Sequence, residues 1–267
     1  MAGIILISFL LIMFVISFFY LPYPPDAMDS AHIFDPPSMA HWLGTDNFGR
    51  DILSRIMKGS QTAFAVGSGA VAIGLVVGVI LGSLAGYFGG WIDEAVMRLM
   101  DAKMAIPGVI LALALITVFG NKVSNMILAL GIMSIPRFCR MTRSGFMQVK
   151  QMDYIKAAKS RGVSSLRIMV FHILPNISSQ LIVTLTLGFS SAILSEAGLS
   201  FIGLGIQPPT SSWGRMLLEA QDFILTQPHY AFIPGIMITV LVLGFNLLGD
   251  GLRDVLDHHS SGREDVR

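Results

Sequence analysis

The chain has 267 residues, 53% of them hydrophobic and only 13% charged, with a formal net charge of +1 at pH 7 and a mean hydropathy of +0.69. Soluble globular domains carry about 25% charge, so this composition belongs to an integral membrane protein. Near-neutral charge gives no case for nucleic acid as a partner, and the single Cys139 excludes an intrachain disulfide and a cysteine-built metal cluster.

Six stretches lack Asp, Glu, Lys and Arg: 1–25, 59–92, 104–121, 123–136, 168–195 and 223–249. A crossing helix needs about 20 apolar residues. The first, second, fifth and sixth stretches satisfy that and the third is marginal. The fourth is too short unless its helix continues through Arg137, Arg140 and Arg143, whose long side chains can reach the interface. The expectation is an all-α membrane protein with six transmembrane helices. Residues 1–22 form the first helix, 23–58 an external loop, 59–257 the membrane core and 258–267 a tail. No basic residue precedes the first apolar run, and no small-x-small cleavage site follows it before Pro22, so it reads as a retained span rather than a signal peptide.

The external loop contains Leu43-Gly44-Thr45-Asp46-Asn47-Phe48-Gly49-Arg50-Asp51. Thr45 or Asp46 can cap the helix that follows. Asp46, Arg50 and Asp51 read either as a structural clasp of paired charges or as a ligand site. The second span then carries Ala70, Gly74, Gly78, Gly82, Gly86 and Gly90, each four residues apart. That spacing puts small residues on one helix stripe, where another helix can approach closely in lipid, either within the chain or across a subunit interface. Gly86 and Gly90 also border a turn. Residues 91–107, with Asp93, Glu94, Arg98, Asp101, Lys103 and Pro107, read as an amphipathic entry to the third span.

Between 137 and 167 stand Arg137, Arg140, Arg143, Lys150, Lys156, Lys159, Arg161 and Arg167, whereas 196–222 holds only Arg215. The excess of cations places 137–167 in the cytoplasm and 196–222 outside. Counting spans from there puts both termini in the cytoplasm. Arg50, Arg55 and Lys58 then fall on the outer side, outweighed by the larger cluster. Within the basic segment, Ala157 and Ala158 let another backbone come close. Gly162 can turn left-handed between two short helices, and Pro175 suits the first turn of the next helix. Glu196, near the end of the fifth span, reads as a partner for an outer-loop group or as a pathway or gate contact. His258-His259 in a polar tail do not make a metal site by themselves.

The chain has no Gly-x-x-x-x-Gly-Lys-Ser/Thr phosphate cradle. It also lacks His-Glu-x-x-His and the Gly-x-Ser-x-Gly elbow. Nothing here provides for ATP, and the absence of clustered reactive side chains argues against a membrane enzyme.

The run from Asp153 through Lys156, Ala157, Ala158 and Gly162 to His172-Ile173-Leu174-Pro175-Asn176 resembles the EAA loop of ABC-importer permeases. The Leu-Gly-Thr-Asp…Gly-Arg-Asp run is similar to a signature of the permeases that import dipeptides, oligopeptides and nickel. So are the run from Leu194 to Gly214 and the ending Gly249-Asp250-Gly251-Leu252-Arg253-Asp254-Val255-Leu256-Asp257. The resemblance spans Leu43 to Asp257. It implies the type I importer permease fold, with a cytoplasmic coupling loop at about 150–176. Its implied partners are a second, homologous permease, two ATPase subunits carrying ATP and Mg, and an extracytoplasmic substrate-binding protein. It assigns ATPase coupling to Asp153, Lys156, Ala157, Ala158, Gly162, Leu174 and Pro175. Two departures stand out: Lys156 occupies a position where the family has Glu, and His258 follows Asp257 where Pro is usual. The acidic Glu196 favours di- or oligopeptides over nickel or a metallophore as substrate. An ATP-independent channel or scaffold subunit is the alternative of another class.

Overall fold

The computed structural model describes residues 1–261, with side chains as far as Val255. Every regular element among them is helical, and strand-like pairing is limited to a bridge between Thr45 and Asp51. The side chains of His258 and His259 lie outside the described residues.

The first helix, α1 (Ala2–Ile16), has 15 residues, about 23 Å at helical rise and short of a hydrocarbon core of about 30 Å. It ends before the expected residue 22, where the Ser17 hydroxyl donates to the carbonyl of Phe14 at 2.6 Å. The second helix, α2 (Ile52–Phe88), starts ahead of its apolar stretch because the Asp51 carboxylate accepts from the Ser54 N–H at 2.8 Å. Asp51, not Thr45 or Asp46, is therefore the cap.

The glycine stripe of α2 lies against α5 (Val123–Val149) of the same chain. Gly69 meets Ile127, Gly74 meets Ser134, Gly78 meets Phe138, Gly82 meets Thr142 and Gly86 meets Phe146. The two series rise together, so the helices run parallel. Gly86 is helical; the break falls at Gly89, and it and the first residue of the next helix, Gly90, both have positive φ. A parallel pair needs a return segment, supplied by α3 (Gly90–Ala105) and α4 (Gly108–Phe119), which bend by 85° at their junction. Pro107 explains the break, because it drives Ile106 into the extended region, at φ −88° and ψ 120°. The helix of the fourth stretch does continue through Pro136 and its arginines to Val149.

Beyond α5 come α6 (Asp153–Ser160) and the three-residue α7 (Ser165–Arg167), which leads through two distorted turns into α8 (Ser178–Phe201). The second short helix expected after Gly162 is therefore the start of one run, Ser165–Phe201. α8 is antiparallel to α5, with Ile177 at Gly145 and Ser191 at Arg137. It is also antiparallel to α10 (Pro228–Ser261), with Thr186 at Gly249 and Ser190 at Val242. Short α9 (Trp213–Ala220) precedes α10, against whose far end α1 packs through Gly3. Three runs are long and apolar enough to cross a bilayer: Ile52–Phe88, Ser165–Phe201 and Pro228–Val255; the bent pair α3 and α4 makes a fourth if taken as one span. The main core gathers Phe64, Phe138, Phe189, Trp213 and Tyr230. A separate cluster of Tyr87, Phe146, Val149, Ile155, Ile168, Ile173 and Ile177 lies under the basic loop.

Candidate functional site

The basic loop is an elbow fixed from below. α6 has Asp153 in its first turn and Lys159 in its last, as the helix dipole favours. Its buried residue is Ile155, seated in the cluster with Phe146, Ile168 and Ile173. Asp153, Lys156, Ala157, Lys159 and Arg161 face outward and Ala158 is half-covered. Lys156 Nζ donates to Asp153 Oδ1 at 2.9 Å on the open surface. Gly162 makes the turn at φ +78°, its N–H donating to the Lys159 carbonyl at 3.0 Å. A Cβ there would meet nothing within 4 Å, so conformation rather than space calls for glycine.

The chain then widens to a π-turn over Ile168–Ile173 and tightens to a 3-10 turn over Leu174–Ile177. Pro175 accounts for both, since its ring would clash with the carbonyl of residue 171 in a regular helix. Leu174 is half-buried on the inner cluster and Pro175 is exposed. The outward surface combines Lys156, Lys159, Arg161 and Arg167 with exposed Tyr154, Leu166 and Phe171. A cavity of about 420 Å³ opens beside Leu166, Arg167, Phe171 and His172. Cations around exposed apolar rings suit a protein partner with an acidic, apolar cleft.

At the far end of α2 lies a buried ion cluster, the clasp alternative in observed form. Asp46 accepts from Arg50 Nε and Arg55 Nη1, both at 2.6 Å. Glu219 of α9 accepts from Arg50 at 2.7 Å, Arg55 at 2.9 Å and Arg215 at 3.1 Å. Tyr230 also donates to Glu219, at 3.3 Å. Burial by itself would push the Glu219 carboxyl up, but the charges of Arg55 and Arg50 and the bonds from Arg55 and Arg215 outweigh it and hold it below the usual carboxylate range. Asp51 is not part of this cluster; it caps α2 and meets His41 Nδ1 at 2.9 Å. Sequence reasoning missed Glu219 and Arg215. The one local signal was their i, i+4 spacing, which suits a helix-face pair.

Glu196 is 2% exposed and accepts from the Ser200 hydroxyl at 2.7 Å, with Ser212 as a second hydrogen-bond partner. Ser200 in turn accepts from the Ile206 N–H at 3.2 Å, so the carboxylate ties the end of α8 to the loop before α9. Replacement by Gln preserves an acceptor, whereas Leu strands the serine hydroxyls, at a cost of about 1–3 kcal/mol for a buried unsatisfied group. Thermal melting of the purified variants should therefore rank Glu196→Gln near the parent and Glu196→Leu clearly lower. Equal melting of Glu196→Leu and the parent would show that Glu196 ties nothing.

The family model described as binding-protein-dependent transport system inner membrane component matches residues 78–261. A glutathione transport system permease protein of Pectobacterium atrosepticum is 42% identical over 253 residues, which is 93% of this chain and 84% of that one. A dipeptide transport system permease protein of Alkalihalophilus pseudofirmus is 44% identical over 221 residues, 83% of this chain and 73% of that one. Among solved structures, an inward-facing MetNI methionine ABC transporter chain superposes with a TM-score of 0.60 at 20% identity, covering 76% of this chain and 96% of that one. At that identity the likeness concerns the fold alone.

Proposed function

The chain belongs to the binding-protein-dependent transport system inner membrane components, and from that premise we propose that it forms half of the translocation path of an ATP-driven importer of peptides. The named relatives carry glutathione and dipeptides, which supports short peptides as the substrate class. The observation that supports the coupling role is the elbow at Gly162: an exposed basic and apolar surface on α6 whose buried side chain, Ile155, sits in the cluster that also holds Phe146 and Val149 of α5 with Ile168 and Ile173.

In this reading α1, α2, the bent pair α3–α4, α5, the Ser165–Phe201 run and α10 make six crossings. Both termini and the elbow lie in the cytoplasm, and the ion clasp lies outside. Two ATPase subunits carry ATP and Mg; one of them docks on α6 and the other on the matching loop of a second permease. Substrate arrives from an extracytoplasmic binding protein. Movement of α6 is passed through Ile155 to Phe146 on α5 and Ile177 beside α8. Lys156 cannot offer a carboxylate to the ATPase, and it is already paired with Asp153. Contact there would rest on cations and apolar side chains.

Gly162→Pro tests this. Proline imposes a φ of about −65° and removes the N–H that bonds Lys159, so the elbow loses its turn while the membrane core is untouched. Co-purification of the ATPase from cells making the whole transporter should fall to background with Gly162→Pro and persist with Gly162→Asn, since Asn tolerates the left-handed region. Equal recovery of the ATPase by parent and proline variant would defeat the docking role.

A further inference from the structure

Three arginines occupy successive turns of α5, and two of them have carboxylate partners on α3. Arg143 pairs with Asp93, and Arg140 with Asp101 at 2.6 Å. Arg137 differs. Among the described residues its hydrogen bond is from Nη1 to the Ser191 hydroxyl of α8 at 3.2 Å, and a hydroxyl cancels no charge.

Depth makes this matter. Arg137 follows Pro136 in the middle of Val123–Val149, about 18 Å along the helix from its inner end. An arginine at that depth is costly against hydrocarbon and is found facing a protein partner or a water-filled path. Its surroundings favour the path. Met133, Ser134, Arg137, Gly188, Ser191 and Ser195 line a cavity of about 150 Å³ between α5 and α8. The three serine hydroxyls donate to backbone carbonyls, at 2.7 Å from Ser134 to its own helix with the Ala70 carbonyl of α2 at 3.3 Å, and at 2.9 Å from Ser191 and 2.8 Å from Ser195 to their own helix. Their oxygens are left as acceptors, and the guanidinium is the charged donor among them. Such a lining offers a cation to a carboxylate and serine oxygens to an ammonium, the two ends of a short peptide. The walls of the cavity are also the helices that the elbow grips at their inner ends.

We propose that Arg137 faces the aqueous translocation path and takes the carboxylate of a passing peptide, biasing this half of the path toward anionic substrates. The substrate side of this inference rests on the permease reading above.

The test uses the whole transporter in membranes of cells that make the chain with its natural partners, in a Cys139→Ser background. Ser191→Cys is reacted with an anionic sulfonatoethyl and a cationic trimethylammonioethyl methanethiosulfonate. Both should label it, and adding Arg137→Gln should lower the anion-to-cation rate ratio by about tenfold, as expected for one nearby charge at intermediate dielectric. Arg137→Lys should restore most of the ratio. An unlabelled Ser191→Cys, or a ratio indifferent to Arg137, overturns the proposal. In uptake, Arg137→Gln should slow the dipeptide Ala-Ala relative to its C-terminal amide, which lacks the carboxylate, by a similar factor; equal slowing of both would reduce Arg137 to a packing residue. If the parent transporter carries neither dipeptide while the reagent preference holds, the peptide reading falls and the anion-selective path stands.

Discussion

Glu219→Gln should destabilise the protein by about 3–5 kcal/mol, the usual cost of removing one partner from a buried ion network. The side chain of Glu219 is 7% exposed, and those of Arg50 and Arg55 6% and 3%. With Glu219 neutral, Asp46 would face both guanidinium groups alone. Thermal melting in detergent reads the loss directly. Pairing Glu219→Gln with Arg50→Gln should return part of it, because the double variant restores one carboxylate to one buried arginine. A parent-like melting point for Glu219→Gln would show that the cluster contributes little to holding α9 against the start of α2.

The same cluster sets a pH dependence of definite sign. The folded-state pKa of Glu219 is depressed, so its contribution is complete above the unfolded-state value of about 4.3 and is lost as pH falls through the lower folded-state value. The difference in melting point between parent and Glu219→Gln should stay constant from about pH 8 to 5.5 and shrink below about pH 4. Using the difference cancels other titrating groups such as His32, whose pKa is raised first by its hydrogen bond to Asp35 and then by the charge of Asp29. A difference that grew on acidification would mean that the carboxylate is held neutral rather than ionised.

Local rules made much of this molecule legible, and distance hid the rest. The four-residue spacing of Gly74, Gly78 and Gly82 is a property of one helix and announced a close neighbour; that the neighbour is α5, running parallel, depends on how α3 and α4 turn back. Pro107 signalled a break but not an 85° bend. Gly162 was readable because a left-handed turn needs a specific residue. The π-turn before Pro175 was not, because it absorbs a clash that appears only once the helix is built through it. Asp46 and Arg50 were readable as a charge pair, yet Glu219 lies 169 residues from Arg50, and no short-range pattern links them. Arg137 stood in the same cationic run as Arg140 and Arg143. What separates it is that no carboxylate among the described residues stands opposite, which only the packing of α3 and α8 reveals.

Gly78→Leu should abolish folding of the membrane core, and the reason is backbone rather than side chain. A Cβ on Gly78 would sit 2.6 Å from the Cβ of Phe138 and 2.9 Å from both the Cys139 nitrogen and the Ile135 carbonyl oxygen. None of these is the free end of a flexible group. Phe138 is itself fully buried, with its ring against Gly188, so α5 cannot move away without opening its contact with α8. Gly78→Ala, adding one carbon, should cost about 1–3 kcal/mol as overpacking. Gly198 is the internal control: it lies in α8, and a Cβ there would meet nothing within 4 Å, so Gly198→Ala should be neutral or stabilising by up to about 1 kcal/mol through helix propensity. Opposite signs for the two alanine variants, read by melting and by yield of folded protein, are what close helix approach demands. The same sign for both would mean that α2 and α5 are held apart in the membrane, and that the glycine stripe serves some surface other than α5.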